Sequence, residues 1–221
     1  MTDLGNLPFT ELWPRITTLR SPPFVPELKL HLVTAQSPWW TLEPEALAHS
    51  PYRDPYWAFC WPGGAGLARY LFALGASLKG RTVYDIGTGC GIVALAAARC
   101  GAHRVIANDI DPWALEASAR NADANHLTLE LSAENLVGTS LPEESLVVLG
   151  DMLYAPEQSQ EVLAWGYALR SRGCTVLFAD PCRGYGLPQA SAKAWFEVAA
   201  EVDPGDGTCR AHVGIWELDA P

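Results

Sequence analysis

The stretch Thr82-Val83-Tyr84-Asp85-Ile86-Gly87-Thr88-Gly89-Cys90-Gly91-Ile92 decides how this chain is read. The run Thr82 to Ile86 is β-rich, the alternate glycines make a tight turn, and the Ala-rich segment from Ile92 to Cys100, closed by Gly101, reads as a helix. Strand, glycine turn and helix open a Rossmann-like unit, and the unit repeats outward. Arg104 to Asn108 reads as a strand and Pro112 to Asn125 as a helix with proline in its first turn. Thr128 to Leu131, Leu146 to Gly150 and Cys174 to Ala179 read as further strands, with a helix over Gln158 to Leu169. Strands alternating with helices predict an α/β fold: a mostly parallel sheet, helices on both faces, ligands beyond the carboxyl ends of the strands. After Pro188 the spacing of Ala190, Ala194, Trp195 and Val198 predicts a helix. Asp203-Pro204-Gly205-Asp206-Gly207 then predicts a hairpin turn, and Ala211 to Trp216 an antiparallel strand inserted beside the parallel ones.

Upstream, Leu67, Leu71 and Leu74 recur at helical spacing between Gly64 and Gly75. Residues 1 to 56 are Pro-rich, and their one periodic segment, Leu28 to Val33, reads as a short half-exposed strand. The division expected is an N-terminal Pro/Trp-rich extension over 1–63 that covers the site and a cofactor-binding domain over 64–221, together one structural unit. Five of the nine tryptophans fall in the first 61 residues, a clustering that core filling alone does not explain.

Composition excludes several classes. In 221 residues, 49% hydrophobic content supports a packed core and excludes disorder as the main state. Fifteen Lys and Arg against 25 Asp and Glu give a formal charge of −10, which repels phosphate backbones, so the expected partner is a basic peptide or cationic ligand and not nucleic acid. The six cysteines form no C-x-x-C pair and no zinc-like cluster, and read as reduced thiols with no metal. No apolar run approaches the roughly 20 residues of a membrane span, and Met1 to Thr10 carries no basic n-region. The expectation is a cytoplasmic protein, although a removed presequence would leave no trace.

The glycines stand at G-x-G-x-G, whereas a dinucleotide fingerprint asks for G-x-G-x-x-G, and the last position is here Ile92. An acidic residue at the strand end would repel a pyrophosphate, so Asp85 points to a cationic ligand. S-adenosylmethionine, with an α-ammonium, a sulfonium and no phosphate, fits. Gly87, Gly89 and Gly91 would let it approach the backbone, and Asp109, 22 residues after Gly87, would accept both ribose hydroxyls. Ile110 would pack on adenine, while Asp111 caps the next helix ahead of Pro112. Glu134 stands where it could meet the adenine amino group, or is a solvated loop residue. Trp57 and Trp61, in the aromatic stretch Asp54 to Gly64, could wall the methyl-donor site through cation–π contacts, plug the open side of the sheet, or do both.

Two strand ends point into the same crevice: Gly150-Asp151-Met152-Leu153-Tyr154 and Asp180-Pro181-Cys182-Arg183. Methyl transfer to an amine needs an in-line approach and exclusion of water more than acid–base power. Asp151 reads as the holder of the incoming ammonium or as a strand-end cap, Tyr154 as the group that orients the deprotonated amine, and Asp180 as a second crevice carboxylate or a structural one.

Together these segments resemble the seven-stranded S-adenosylmethionine-dependent methyltransferases, and more narrowly the lysine methyltransferases of the electron-transfer flavoprotein β subunit. The resemblance covers roughly residues 24 to 218. It rests on Pro26 to Leu30, Trp57 with Trp61-Pro62-Gly63, Val83 to Gly91, Asn108 to Pro112, Gly150-Asp151-Met152-x-Tyr154, and Asp180-Pro181 with Arg183. It implies cofactor binding by Trp61, Gly87, Gly89, Gly91, Asp109 and Ile110, with Asp151 and Tyr154 near the target lysine of that β subunit, in a protein expected to act as a monomer. Animal members are mitochondrial; the absence of a presequence suggests a bacterial relative. The related ribosomal-protein methyltransferases usually end their fourth strand in an Asn-Pro-Pro-Tyr-type segment, which Gly150 to Tyr154 replaces here. That departure opposes amide methylation and leaves a ribosomal lysine open. A small-molecule N-methyltransferase is a further alternative, and a nicotinamide-dependent oxidoreductase or a non-catalytic cofactor-binding protein are the remaining ones.

Overall fold

A computed structural model describes residues 4, 7–42, 50, 52, 55–185, 187–200 and 209–219. The glycine-turn unit forms as read: β3 (Thr82–Ile86), the turn, then α3 (Ile92–Arg99). It is followed by β4 (Arg104–Asn108), α4 (Pro112–Asn125), β5 (Glu130–Ser132), β6 (Leu146–Gly150), α5 (Pro156–Ser171) and β7 (Thr175–Asp180). Two long strands close the chain, β8 (Ala194–Ala200) and β9 (Cys209–Glu217). The sheet has seven strands in the order β5-β4-β3-β6-β7-β9-β8, with β9 antiparallel to both β7 and β8 and the other pairings parallel. The inserted antiparallel strand is the one expected; the predicted turn at 203–207 lies outside the described residues.

The central strands read as continuous apolar runs because both faces are covered. In β6, Leu146 and Val148 face the core shared with α3, while Val147 and Leu149 face the core built on α5 residues Val162, Trp165 and Leu169. Of the predicted helix around Ala190 to Val198, a single 3-10 turn forms at Gln189–Ser191, and the rest, from Ala194, is instead strand β8. Ala194, Phe196 and Val198 pack on the core while Trp195 and Glu197 are exposed, a period of two, and seven residue pairs with β9 fix the extended form. Local Ala and Trp spacing was overridden by that pairing.

The N-terminal segment is integral. It supplies α1 (Phe9–Ile16) and a separate two-stranded antiparallel sheet of β1 (Thr17–Arg20) and β2 (Leu30–Val33). Val25, Leu28, Leu30 and Leu32 enter the same core as β3 and α3. The helix read from Gly64 begins earlier, as α2 (Pro62–Leu74), so it spans the expected boundary at 63/64 and its first turn contains both glycines of the aromatic stretch. Gly63 is there because a Cβ would lie 2.5 Å from Asp151 Oδ2 and 2.8 Å from the Ala179 carbonyl. Only a residue without a side chain lets the start of α2 rest on the ends of β6 and β7.

Candidate active site

The three glycines of the turn all have positive φ: 69° at Gly87, 53° at Gly89 and 81° at Gly91. At Gly87 a side chain would also overlap Met152 Sδ, so the turn and the segment after β6 touch. Helix α4 fixes the turn from beneath. Ser118 Oγ donates to the Gly89 carbonyl (3.1 Å) and Asn121 Nδ2 to the Cys90 carbonyl (2.8 Å). Both side chains are fully buried, and a polar pair on the apolar face of α4 was the sequence signal that would have found them.

Asp85 lies at the floor of the turn, with 1% of its surface exposed. Its Oδ2 accepts from Thr88 Oγ1 (2.7 Å) and from the Ala94 amide (3.0 Å). Burial pushes its carboxyl up to about 7, against the pull of those two donors. Burial also pushes the neighbouring Cys90 thiol up to about 12, which makes it an inert core residue. The five described cysteine side chains are free, and among the described residues no group of acids, histidines and cysteines is placed to hold a metal.

Asp109 directly follows the last residue of β4, Asn108, one place beyond the strand end expected for it. Its Oδ2 accepts from the Gly89 amide and its Oδ1 from the Asp111 amide, each at 3.0 Å. Burial raises its pKa, opposed by those amides. Asp111 caps α4 through the Trp113 amide (2.9 Å), also as expected. Ile110 is 71% exposed beside it, an apolar surface with no protein neighbour over most of its area. Glu134 is exposed; its carbonyl, with that of Ser132, accepts from Asn108 Nδ2 (2.8 and 2.9 Å), which ties the loop after β5 to the end of β4. The turn, Asp109, Ile110 and Glu134 therefore share one rim of the sheet. Its donors are backbone amides, its side-chain charges are acidic, and Ile110 offers an open apolar face. That set suits a cationic nucleoside and opposes a pyrophosphate.

The two tryptophans separate. Trp61 is half-buried at the N-cap of α2, its indole N–H donating to the Tyr56 carbonyl (3.0 Å) and its ring edge-on to Phe59. Trp57 is 1% exposed, stacked on Trp13 at 5.4 Å and packed against Phe9 at 5.1 Å. Buried among these rings, Trp57 plugs the N-terminal core and is corrected from the expected cofactor wall. That aromatic core also receives Ala114 and Ala117 of α4, the helix that braces the turn.

Beyond β6 and β7 the crevice carboxylates come together through Arg183. Its Nη2 donates to Asp151 Oδ1 (2.8 Å), its Nη1 to Asp180 Oδ2 (3.1 Å), and its amide to Asp180 Oδ1 (2.8 Å). Asp151 Oδ2 accepts from the Gly64 amide (2.8 Å) in the first turn of α2. Asp151 thus caps a helix and pairs with an arginine, as well as lining the crevice. Each carboxylate has about four acceptor sites, so two donors leave room for another. Two carboxylates and one guanidinium also leave a net negative charge, and burial pushes the Asp151 carboxyl up, with Arg183 holding it down. Tyr154 stands 60% exposed at the rim, its segment anchored by Gln158 Nε2 donating to the Met152 carbonyl (2.7 Å).

Similarity to known proteins agrees with this geometry. The chain is 43% identical over 169 residues to the electron transfer flavoprotein beta subunit lysine methyltransferase of Xenopus laevis, covering 76% of this chain and 68% of that protein. The chain belongs to this family. The human relative is 38% identical over 171 residues, 75% of this chain and 62% of the relative, and the Caenorhabditis elegans homolog 33% over 185 residues, 76% and 75%. The chain spans about two-thirds of the length of the vertebrate relatives. Residues 70–155 also match the ribosomal protein L11 methyltransferase (PrmA) family. The solved ribosomal protein L11 methylase of Lactobacillus delbrueckii subsp. bulgaricus shares the fold at a TM-score of 0.55 and 21% identity, over 91% of this chain and 100% of that one. A magnesium protoporphyrin IX methyltransferase from Synechocystis, solved with its methyl donor bound, does so at 0.50 and 18%, over 71% and 78%. Family membership makes this protein a methyltransferase.

Proposed function

We propose that the protein transfers methyl groups from S-adenosylmethionine to lysines of the β subunit of electron-transfer flavoprotein. The observation that carries the reading is the pair Asp151 and Asp180, two buried carboxylates sharing one guanidinium, in contact through Met152 with the glycine turn. The methyl donor, when bound, supplies an electrophilic methyl on a positively charged sulfur. The glycine turn with Asp109 and Ile110 would hold it, and Asp85 sets a negative floor beneath it. The residual negative charge at Asp151 and Asp180 draws a lysine ammonium out of water and holds its nitrogen at the crevice. Tyr154 orients the nitrogen at the rim once it has lost its proton to bulk water, and α2 with Trp61 closes the crevice on one side. Work of this kind is positioning and exclusion of water.

In this reading the enzyme acts as a cytoplasmic monomer. The substrate is supported by the identity of the vertebrate relatives, and the match of residues 70–155 to the L11 family makes a ribosomal lysine the second reading. The test is incubation of the protein with labelled S-adenosylmethionine and recombinant electron-transfer flavoprotein or ribosomal protein L11 from the same source, with modified peptides mapped by mass spectrometry. Label on β-subunit lysines is expected. Label confined to L11, or to a small amine, replaces the proposed substrate.

A further inference from the structure

Arg183 carries more order than its place in a loop suggests. Among the described residues it is the one that bonds both crevice carboxylates, and it joins three elements: the end of β6 through Asp151, the end of β7 through Asp180, and the start of α2 through the far oxygen of Asp151. Its side chain is 26% exposed, and those of Asp151 and Asp180 are 10% and 6% exposed. The backbone on each side is held in the left-handed region by residues other than glycine, with φ 58° at Asp151 and 63° at Cys182. Such backbone persists where the surroundings over-determine it, and here it occurs at two adjacent strand ends that face the same guanidinium.

We infer that Arg183 is the positioning residue of the amine crevice, the planar fork that keeps Asp151 and Asp180 aimed and charged for an incoming lysine. The inference rests on the lysine-methyltransferase reading for its use, and on the geometry for its existence. A fork has two donor nitrogens at fixed spacing and can fix two carboxylates at once, which a point charge cannot. The groups that act on Asp151 can be named from each side. The Gly64 amide approaches from α2; Arg183 favours the charged carboxylate and Asp180 disfavours it from the end of β7; and the Cys90 thiol, in the glycine turn, is held neutral by burial. Arg183 is the only side-chain cation in that set. Without it, burial and the like charge of Asp180 are opposed only by the Gly64 amide, Asp151 keeps its proton to higher pH, and a neutral acid holds an ammonium poorly.

The test is a carbon-13 titration of the side-chain carboxylates in the free protein, with Asp151 assigned by its loss in Asp151→Asn. In Arg183→Gln the Asp151 midpoint should rise by about one pH unit or more, a roughly tenfold tighter hold on the proton. Arg183→Lys, which keeps a charge and loses the fork, should move it upward by less. Unmoved midpoints in both variants overturn the inference. Methylation of recombinant electron-transfer flavoprotein adds a second readout. The ratio of kcat/KM in Arg183→Gln to that of the native enzyme should be low at pH 7 and climb as pH rises, while KM for S-adenosylmethionine stays within about twofold. A ratio flat with pH overturns the role in lysine binding. If the native enzyme leaves that flavoprotein unmethylated, the substrate reading fails and the carboxylate titration still decides Arg183.

Discussion

Asp85→Asn should stabilise the protein, by an amount that depends on pH. Burial moves the Asp85 carboxyl from an ordinary 3.8 to about 7. The direction fixes the sign. Between those values the folded protein keeps a proton that the unfolded chain has already lost, so native stability falls as pH rises from about 4 to about 7 and levels off above. Each pH unit is about 1.4 kcal/mol, and some three units of difference give about 4 kcal/mol for a group this completely buried. Asparagine has no charge to bury, and its amide oxygen can still accept from Thr88 Oγ1 and the Ala94 amide. Urea denaturation of both proteins from pH 4 to pH 8 measures the effect, because all other carboxylates cancel in the difference. The variant should match the native protein near pH 4 and exceed it by several kcal/mol at pH 8. Binding gives the complementary signal: S-adenosylhomocysteine retains an α-ammonium, so its affinity for the native protein should rise between about pH 6 and pH 8, and for Asp85→Asn it should not. A stability difference that is flat with pH refutes the reasoning, since Asp85 would then be ionised in the fold at no electrostatic disadvantage.

Asp109→Ala removes an acceptor of two backbone amides and the proposed ribose ligand, and should weaken S-adenosylhomocysteine binding at least tenfold by calorimetry. An unchanged dissociation constant rejects the ribose role. Trp57→Phe removes an indole N–H that is buried without a partner among the described residues, while keeping an aromatic ring against Phe9 and Trp13. Cofactor affinity should stay within about twofold, and a tenfold loss would return Trp57 to the cofactor site.

The parallel strands were legible because burial on two faces writes itself as Val, Leu and Ile in unbroken runs, as in Leu146 to Leu149. The glycine turn and Asp109 were legible because spacing along one strand–turn–helix unit is local. Strand β8 was not: Ala194, Trp195 and Val198 suit a helix until β9 offers seven residue pairs. Residue spacing also says nothing about what lies between the ends of separate strands. Asp151 and Asp180 could be named as crevice residues, whereas Arg183, 32 residues beyond Asp151, becomes its partner only when β6 and β7 lie side by side. Trp57 shows the converse, a residue assigned to the site for its chemistry and placed by packing in the N-terminal core.

Helix α4 binds strand β2 through its asparagines. Asn125 Oδ1 accepts from the Lys29 amide (2.9 Å) and its Nδ2 donates to the Lys29 carbonyl, while Asn121 Oδ1 accepts from the His31 amide (2.8 Å) as its Nδ2 reaches Cys90. The partners are 96 and 90 residues apart. On the ribosome, Lys29 and His31 therefore emerge long before the side chains that satisfy them, and their segment must wait for Asn121 and Asn125 before it can dock. Until it does, the Asn121 amide that holds the Cys90 carbonyl is itself half-satisfied. Completion of the glycine turn is thus coupled to the docking of a segment 90 or more residues earlier, so a nascent chain finishes that turn only after the segment has come home.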